Sequence, residues 1–343
     1  MACILVTGGA GFIGSHTTLA LLESGHDVVV VDNFTNSNPE ALQRVKRLAG
    51  RGFLHYQLDV RDHSALDAVF RQHNISAVIH FAALKAVGES VARPLEYYLN
   101  NLGALMVLLG VMGAHDCFRL VFSSSATVYR MAAESSFRED APLEAVNPYG
   151  RTKIFAEKIL CDLSASDANW KVIILRYFNP VGAHPSGMIG EAPQGTANNL
   201  FPIITQVAMG ALPEVRVYGN DYPTHDGTGV RDYIHVCDLA QGHVAALSLI
   251  EQVNGAEAFN LGTGRGHSVL DVIRIFELTT GRRVPCRIVE RRPGDVAISV
   301  ANPAKAIERL GWKAGLDLTA MCRDGWRWQE QNPYGYALIE STI

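Results

Sequence analysis

Short apolar, β-prone runs alternate with segments of helical period through the first half of the chain. The runs 4–7, 28–31, 53–58, 77–81, 120–123 and 172–175 predict six strands. Between them, apolar positions recur with helical spacing over 12–23, 39–48, 64–72, 95–114 and 149–163. Strands and helices in this order predict an α/β protein with a Rossmann-type, doubly wound parallel sheet. The run Val28, Val29, Val30, Val31 has no polar face, as expected of a strand covered on both sides.

The alternation loosens after residue 180, where glycine and proline crowd 180–193 and 218–229. Helical runs return at 236–250, 268–279 and 303–310. This pattern predicts a dinucleotide-binding domain over 1–180, with 236–260 returning to it. The remainder of 181–343 is expected to be a smaller, mixed α/β substrate-binding region.

Composition narrows the picture in three places. Hydrophobic residues make up 48% against 19% charged, enough for a large core and unlike a disordered chain. The net charge of −4, with no lysine- or arginine-rich run, predicts no nucleic-acid partner and no membrane-surface partner. The six cysteines lack metal-ligand or redox-pair spacing, so no metal is expected and the thiols suit a cytoplasmic protein. The apolar stretch 102–114 is read as a buried helix or subunit interface, too short for a bilayer.

The sequence Thr7-Gly8-Gly9-Ala10-Gly11-Phe12-Ile13-Gly14 stands between the first strand and the first helix. In that context Gly8 permits a tight turn, Gly11 admits a pyrophosphate to the backbone, and Gly14 lets the helix pack closely. The helix N-terminus would offer its free N–H groups to the phosphates. Asp32 ends the second strand, where a carboxylate accepts hydrogen bonds from ribose hydroxyls. No arginine adjoins it to take a 2′-phosphate, which favours NAD over NADP. Asp59 and Val60, after the third strand, are placed to meet the adenine.

Tyr149 and Lys153 are four apart on a helix and project from one face. Free tyrosine, with a pKa of ~10, is a poor base at neutral pH. A neighbouring ammonium and a cationic nicotinamide are expected to lower that value. Ser125 lies just past the fifth strand, at the sheet edge where such folds bind ligands, and can bridge a substrate oxygen to Tyr149.

Together these residues resemble the extended short-chain dehydrogenase/reductases. Longer strings, at 80–90, 123–129, 176–184, 227–236, 260–262 and 292–295, resemble the UDP-glucose 4-epimerase family and run through nearly the whole chain. The resemblance implies bound NAD, a UDP-sugar substrate and a homodimer. Ser125, Tyr149 and Lys153 would be catalytic. The NAD contacts would include Phe12, Ile13, Asn33, Asn36, Ser37, Phe81, Ala82, Ala83, Lys85, Asn100, Ser123, Tyr177 and Phe178. Asn179 and Asn199 would hold the UDP moiety, Arg231 and Arg292 the diphosphate, and Asp295 the uridine ribose. Lys85, Ala126, Thr127, Leu200, Tyr218 and Tyr233 would complete the substrate site. In the implied reaction Tyr149 takes the proton of the sugar 4-hydroxyl, a 4-keto sugar forms, turns about its phosphate linkage, and is reduced on its other face.

The chain departs from the family pattern at two places. Ser299 stands where many bacterial members carry tyrosine, and its small size would admit an N-acetyl group beside the sugar's C2. Arg130 stands where the family has glycine, a costly exchange if the turn needs positive φ, and 131–139 differs from the usual loop. Rival readings are a sugar-nucleotide 4,6-dehydratase, a uronic-acid epimerase, and a non-catalytic NAD-binding scaffold. The dehydratase reaction needs an acid and a base where Ala126 and Thr127 stand, and neither can transfer protons.

Overall fold

A computed structural model describes residues 2–130, 136–193, 195, 199–292 and 295–337. The strands are β1 (Cys3–Thr7), β2 (Asp27–Asp32), β3 (Leu54–Gln57), β4 (Ile75–His80), β5 (Arg119–Ser125), β6 (Ser136–Phe137), β7 (Lys171–Tyr177), β8 (Asn179–Val181), β9 (Val215–Tyr218), β10 (Val230–His235), β11 (Gly255–Leu261), β12 (Gly266–Ser268), β13 (Cys286–Val289) and β14 (Ile298–Ala301). The helices are α1 (Phe12–Glu23), α2 (Pro39–Ala49), α3 (His63–Gln72), α4 (Val87–Ala92), α5 (Pro94–Ala114), α6 (Pro148–Ser166), α7 (Leu200–Ala208), α8 (Val236–Leu249), α9 (Val269–Thr280) and α10 (Leu318–Gln331).

Seven parallel strands form the main sheet in the order β11-β7-β5-β4-β1-β2-β3. This is the expected doubly wound sheet, and its strand order reverses between β1 and β4. Ligands bind at such a switch point, beyond the carboxyl ends of the strands. One apolar cluster packs α1 and α8 on one face, and a second packs α3, α5 and α6 on the other. β11 pairs with β7 through seven register positions, so 255–261 is part of the main sheet. Beyond it, β12, β10, β14 and β6 form a second sheet with β8 paired to β10, and β9 pairs with β13. A third cluster joins α7, α9 and α10 beneath this region.

Local sequence explains where the helices begin. Asn38 accepts from Glu40 N ahead of Pro39, and Asn147 accepts from Gly150 N ahead of Pro148, so α2 and α6 each start with a side-chain cap and a proline in the first turn. The 303–310 segment ends in a π-helical turn, Ala306–Leu310. The apolar helix α5 runs for 21 residues, longer than the apolar stretch suggests, and by length and composition could cross a membrane. Its Leu105, Leu108, Val111 and Met112 are fully buried in the second cluster.

Arg130 does not require glycine. Phe34 and Asp116 are the positive-φ non-glycine residues among those described, and Arg130 donates its N–H to Pro142 O and its Nε to Glu144. Of the divergent loop, 131–135 lies outside the described residues, while Ser136–Phe137 pairs with β14.

Candidate active site

The glycine turn is a cradle made by sterics. Gly8 has φ +72°, and a Cβ there would lie 2.7 Å from Ala82 N in the loop after β4. A Cβ at Gly14 would lie 2.2 Å from Gly8 O, so this glycine lets the helix close on its own turn. Gly11 starts α1, with no side-chain cap and no acidic residue in the first turn, so the first N–H groups suit an anion. Phe12 and Ile13 follow directly. Asp32 is buried and accepts from Ala10 N (2.9 Å), Phe34 N (2.9 Å) and Ser37 Oγ (2.8 Å). It therefore also fastens the glycine turn to the loop after β2. Asn33 and Asn36 are exposed on that loop, and Asn33 donates to Asp59 at 3.3 Å. The Arg61 guanidinium beside Asp59 holds its carboxyl down at about 2, and Val60 is buried behind it.

β5 and α6 bring the three expected catalytic side chains to the same sheet edge. Lys153 Nζ donates to Ser123 O at 2.7 Å and lies 5.9 Å from the Tyr149 ring centre and 4.9 Å from that of Phe122. Tyr177, in register with Ser125, donates its hydroxyl to Ser123 Oγ. Ser125 Oγ accepts from Thr127 N (3.2 Å) and Thr127 Oγ1 (3.0 Å) and caps the short turn at Ala126. Burial lowers the Lys153 ammonium to about 8, against the charge of Glu157. Burial also pushes the Tyr149 phenol up to about 12, despite the opposing influence of the Ser125 hydroxyl. Among this chain's own groups, burial is therefore the leading influence on the phenol.

Residues behind this face had no reading from sequence. Ser124 points the opposite way from Ser123 and Ser125 and donates to Glu157, which is salt-bridged to Arg176 at 2.6 Å with both side chains buried. Arg176 continues to the Tyr129 hydroxyl (3.1 Å), which donates to Asn260 (2.6 Å). Asn101 is a second anchor, holding Leu84 N (2.8 Å), Leu84 O (3.0 Å) and Thr152 Oγ1 (3.1 Å), with Asn100 donating to it. It pins loop 81–85, with Phe81, Ala82 and Ala83, to α5 and α6. Phe81 also packs on His243, and Phe178 is buried below. A signal existed for Glu157, one helical turn beyond Lys153 on the same face.

The residues expected at the substrate lie on and around the second sheet. Arg231 donates to Val230 O and Val296 O, both at 2.9 Å, and pairs in register with Ser299. Arg292 lies over the Tyr218 ring at 4.4 Å and donates to Asp295 at 3.1 Å, so the two side chains expected on different parts of the ligand meet each other here. Tyr233 is buried and in register with Asn179. Asn199 precedes Leu200 at the start of α7 and donates to Glu191 at 3.1 Å, and Lys85 reaches the same carboxylate at 3.3 Å. Residues expected at the cofactor and residues expected at the substrate thus meet at Glu191.

A glycine cradle that opens on a serine, a tyrosine and a lysine defines the short-chain dehydrogenase/reductase class. The chain belongs to the NAD dependent epimerase/dehydratase family, whose profile matches residues 4–262. It is 56% identical to the UDP-glucose 4-epimerase of Bacillus subtilis over 337 residues, 98% of this chain and 99% of that protein. The crystal structure of UDP-glucose-4-epimerase from Stenotrophomonas maltophila, with bound NAD and formylated UDP-arabinopyranose, is similar with a TM-score of 0.95 and 52% identity, over 97% of this chain and 99% of that one. The enzyme from Bifidobacterium longum in complex with NAD+ and UDP gives a TM-score of 0.94 and 52% identity, over 97% and 100% of the two chains.

Proposed function

We propose that this chain interconverts UDP-galactose and UDP-glucose through a 4-keto sugar, with NAD held throughout the cycle. The observation that carries the reading is the meeting of Ser125, Tyr149 and Lys153 at the edge of β5, beside a glycine cradle that side chains would fill. The residues fit NAD: Gly8, Gly11 and Gly14 would admit its pyrophosphate, Asp32 its ribose, and Asp59 and Val60 its adenine. Loop 81–85, Asn100 and Tyr177 would flank the rest. Bound NAD supplies the hydride chemistry at the sugar C4 and the positive charge that brings the phenol of Tyr149 down from its raised value. Tyr149 then takes the proton of the 4-hydroxyl and returns it, while Ser125 donates to the same oxygen. Lys153 keeps a positive charge beneath the site. Arg231 and Arg292 would grip the diphosphate in bidentate fashion, Asn179 and Asn199 the UDP moiety and Asp295 the ribose, leaving the hexose free to present either face. On this reading the cofactor domain is 1–180 with 236–260, and 181–343 chiefly binds the UDP-sugar.

The test is incubation with UDP-galactose without added NAD, read by proton NMR. Conversion to a mixture with UDP-glucose is expected. No conversion even with added NAD would sink the reading, and a 4-keto-6-deoxy product would mean a dehydratase.

Ser299 supports activity on UDP-GalNAc and UDP-GlcNAc as well. Its small side chain stands on β14 beside Arg231. Ser299→Tyr should abolish N-acetylated turnover and spare UDP-galactose. A wild-type enzyme that rejects UDP-GlcNAc would refute this. The proposed homodimer contact is the exposed apolar face of α5 and α6, with Leu95, Leu99, Met106 and Phe155. Light scattering that finds a monomer would refute it. A cytoplasmic place of work belongs to the same reading.

A further inference from the structure

Glu191 has no role in the chemistry above, yet it stands where the two ligand-binding groups meet. Its backbone is fixed. Trp328 Nε1 donates to Glu191 O at 3.0 Å, Gly190 N donates to the Tyr336 hydroxyl at 3.1 Å, and a Cβ at Gly190 would lie 2.4 Å from the Trp328 ring. The side chain is only 12% exposed. Its Oε1 receives Lys85 Nζ at 3.3 Å from the loop after β4 and Asn199 Nδ2 at 3.1 Å from the start of α7. Both donors sit on exposed residues. A long lysine and a loop asparagine that adopt one orientation before the ligand arrives spare binding the entropy of ordering them.

We infer that Glu191 is a positioning residue that holds Lys85 and Asn199 in one grip, coupling the cofactor-side loop to the UDP-binding loop. The inference rests on the reading that Lys85 and Asn199 touch the ligands. Glu191 itself touches no reacting atom, so its loss should move KM rather than kcat. Glu191→Ala should raise KM for UDP-galactose about tenfold, the scale of one charge-assisted hydrogen bond, with kcat within about twofold. Glu191→Gln keeps an acceptor for Asn199 but loses the charge for Lys85. Its KM should rise about threefold, and it covers the case in which the alanine variant fails to fold. If Glu191 acts through Asn199 and Lys85, adding E191A to Asn199→Ala should cost less than it does in the wild type, only the Lys85 contact being left to lose.

Wild-type KM in both Glu191 variants, or fully additive effects in the double variant, would overturn the inference. Lys85→Ala and Asn199→Ala are measured in parallel to separate the two failures. If both leave KM and the NAD retained after gel filtration unchanged, the site assignment itself is wrong and the inference falls with it. If they raise KM while Glu191→Ala does not, only the role of Glu191 is refuted.

Discussion

The residues proposed for the cofactor and those proposed for the substrate are built from different materials. On the cofactor side the fit lies in backbone. A methyl group at Gly8 or Gly14 would collide with main-chain atoms, and the anchoring polar groups Asp32, Glu157 and Arg176 are buried and paired. On the substrate side the fit lies in side chains. Arg292 is half exposed, stacked on Tyr218 and paired with Asp295, and Arg231 leans on backbone carbonyls. A backbone cradle cannot be altered by degrees, because any added atom meets an atom that cannot move. A set of exposed side chains can be exchanged one at a time with small structural consequences. The contrast predicts that changes on the first side are lost as folding or turnover, and changes on the second as affinity.

The largest effect is expected at Tyr149. Tyr149→Phe keeps the ring and removes the proton acceptor, so kcat should fall about 10²–10⁴-fold while KM barely moves. Steady-state kinetics decide this, and a kcat within tenfold of wild type would move the base to another residue. Next is the pair beneath it. Glu157→Leu leaves Arg176 buried without its partner and should cost about 3–5 kcal/mol of stability, seen by denaturant unfolding, because the remaining charge has no water to return to. The variant would also release Ser124 and loosen α6 against β5. A loss under about 1 kcal/mol would show that the cofactor side is more adaptable than its packing implies.

The substrate side should respond more mildly. Arg292→Ala is expected to raise KM for UDP-galactose about tenfold with stability changed by less than about 0.5 kcal/mol, since the pair with Asp295 is solvent-screened. A large fall in melting temperature would contradict the division drawn between the two sides.

The same contrast explains what could be read from the sequence. The glycine turn, Asp32 and the Tyr149–Lys153 pair are local: a turn between strand and helix, a strand end, a four-residue spacing. Each fixes its own geometry within a few residues. Glu157 on α6 and Arg176 on β7 are 19 apart and meet only because α6 packs across β5 and β7, whose register places Ser124 opposite Arg176. Glu191, Lys85 and Asn199 come from separate segments of the chain, and no periodicity reports such a meeting. Asn101 carries no signal of its own within an apolar helix, although it is what fixes loop 81–85. The raised phenol of Tyr149 was hidden for a related reason. Sequence spacing places Lys153 beside it but does not report how deeply the two side chains are buried.

The smallest predicted effect tests whether departure from a family pattern carries strain. Arg130 replaces the usual glycine, and a glycine at a turn is worth most where φ is positive. Arg130 is not in that region, and its guanidinium reaches Glu144 at 2.5 Å across an exposed pair. The protein therefore gains nothing by reverting. Arg130→Gly should destabilise by about 0.5–1 kcal/mol, because the freed backbone has more conformations to lose on folding and a weak surface ion pair disappears. Thermal unfolding of the two proteins measures this directly. A more stable glycine variant would mean that the turn holds its arginine under strain.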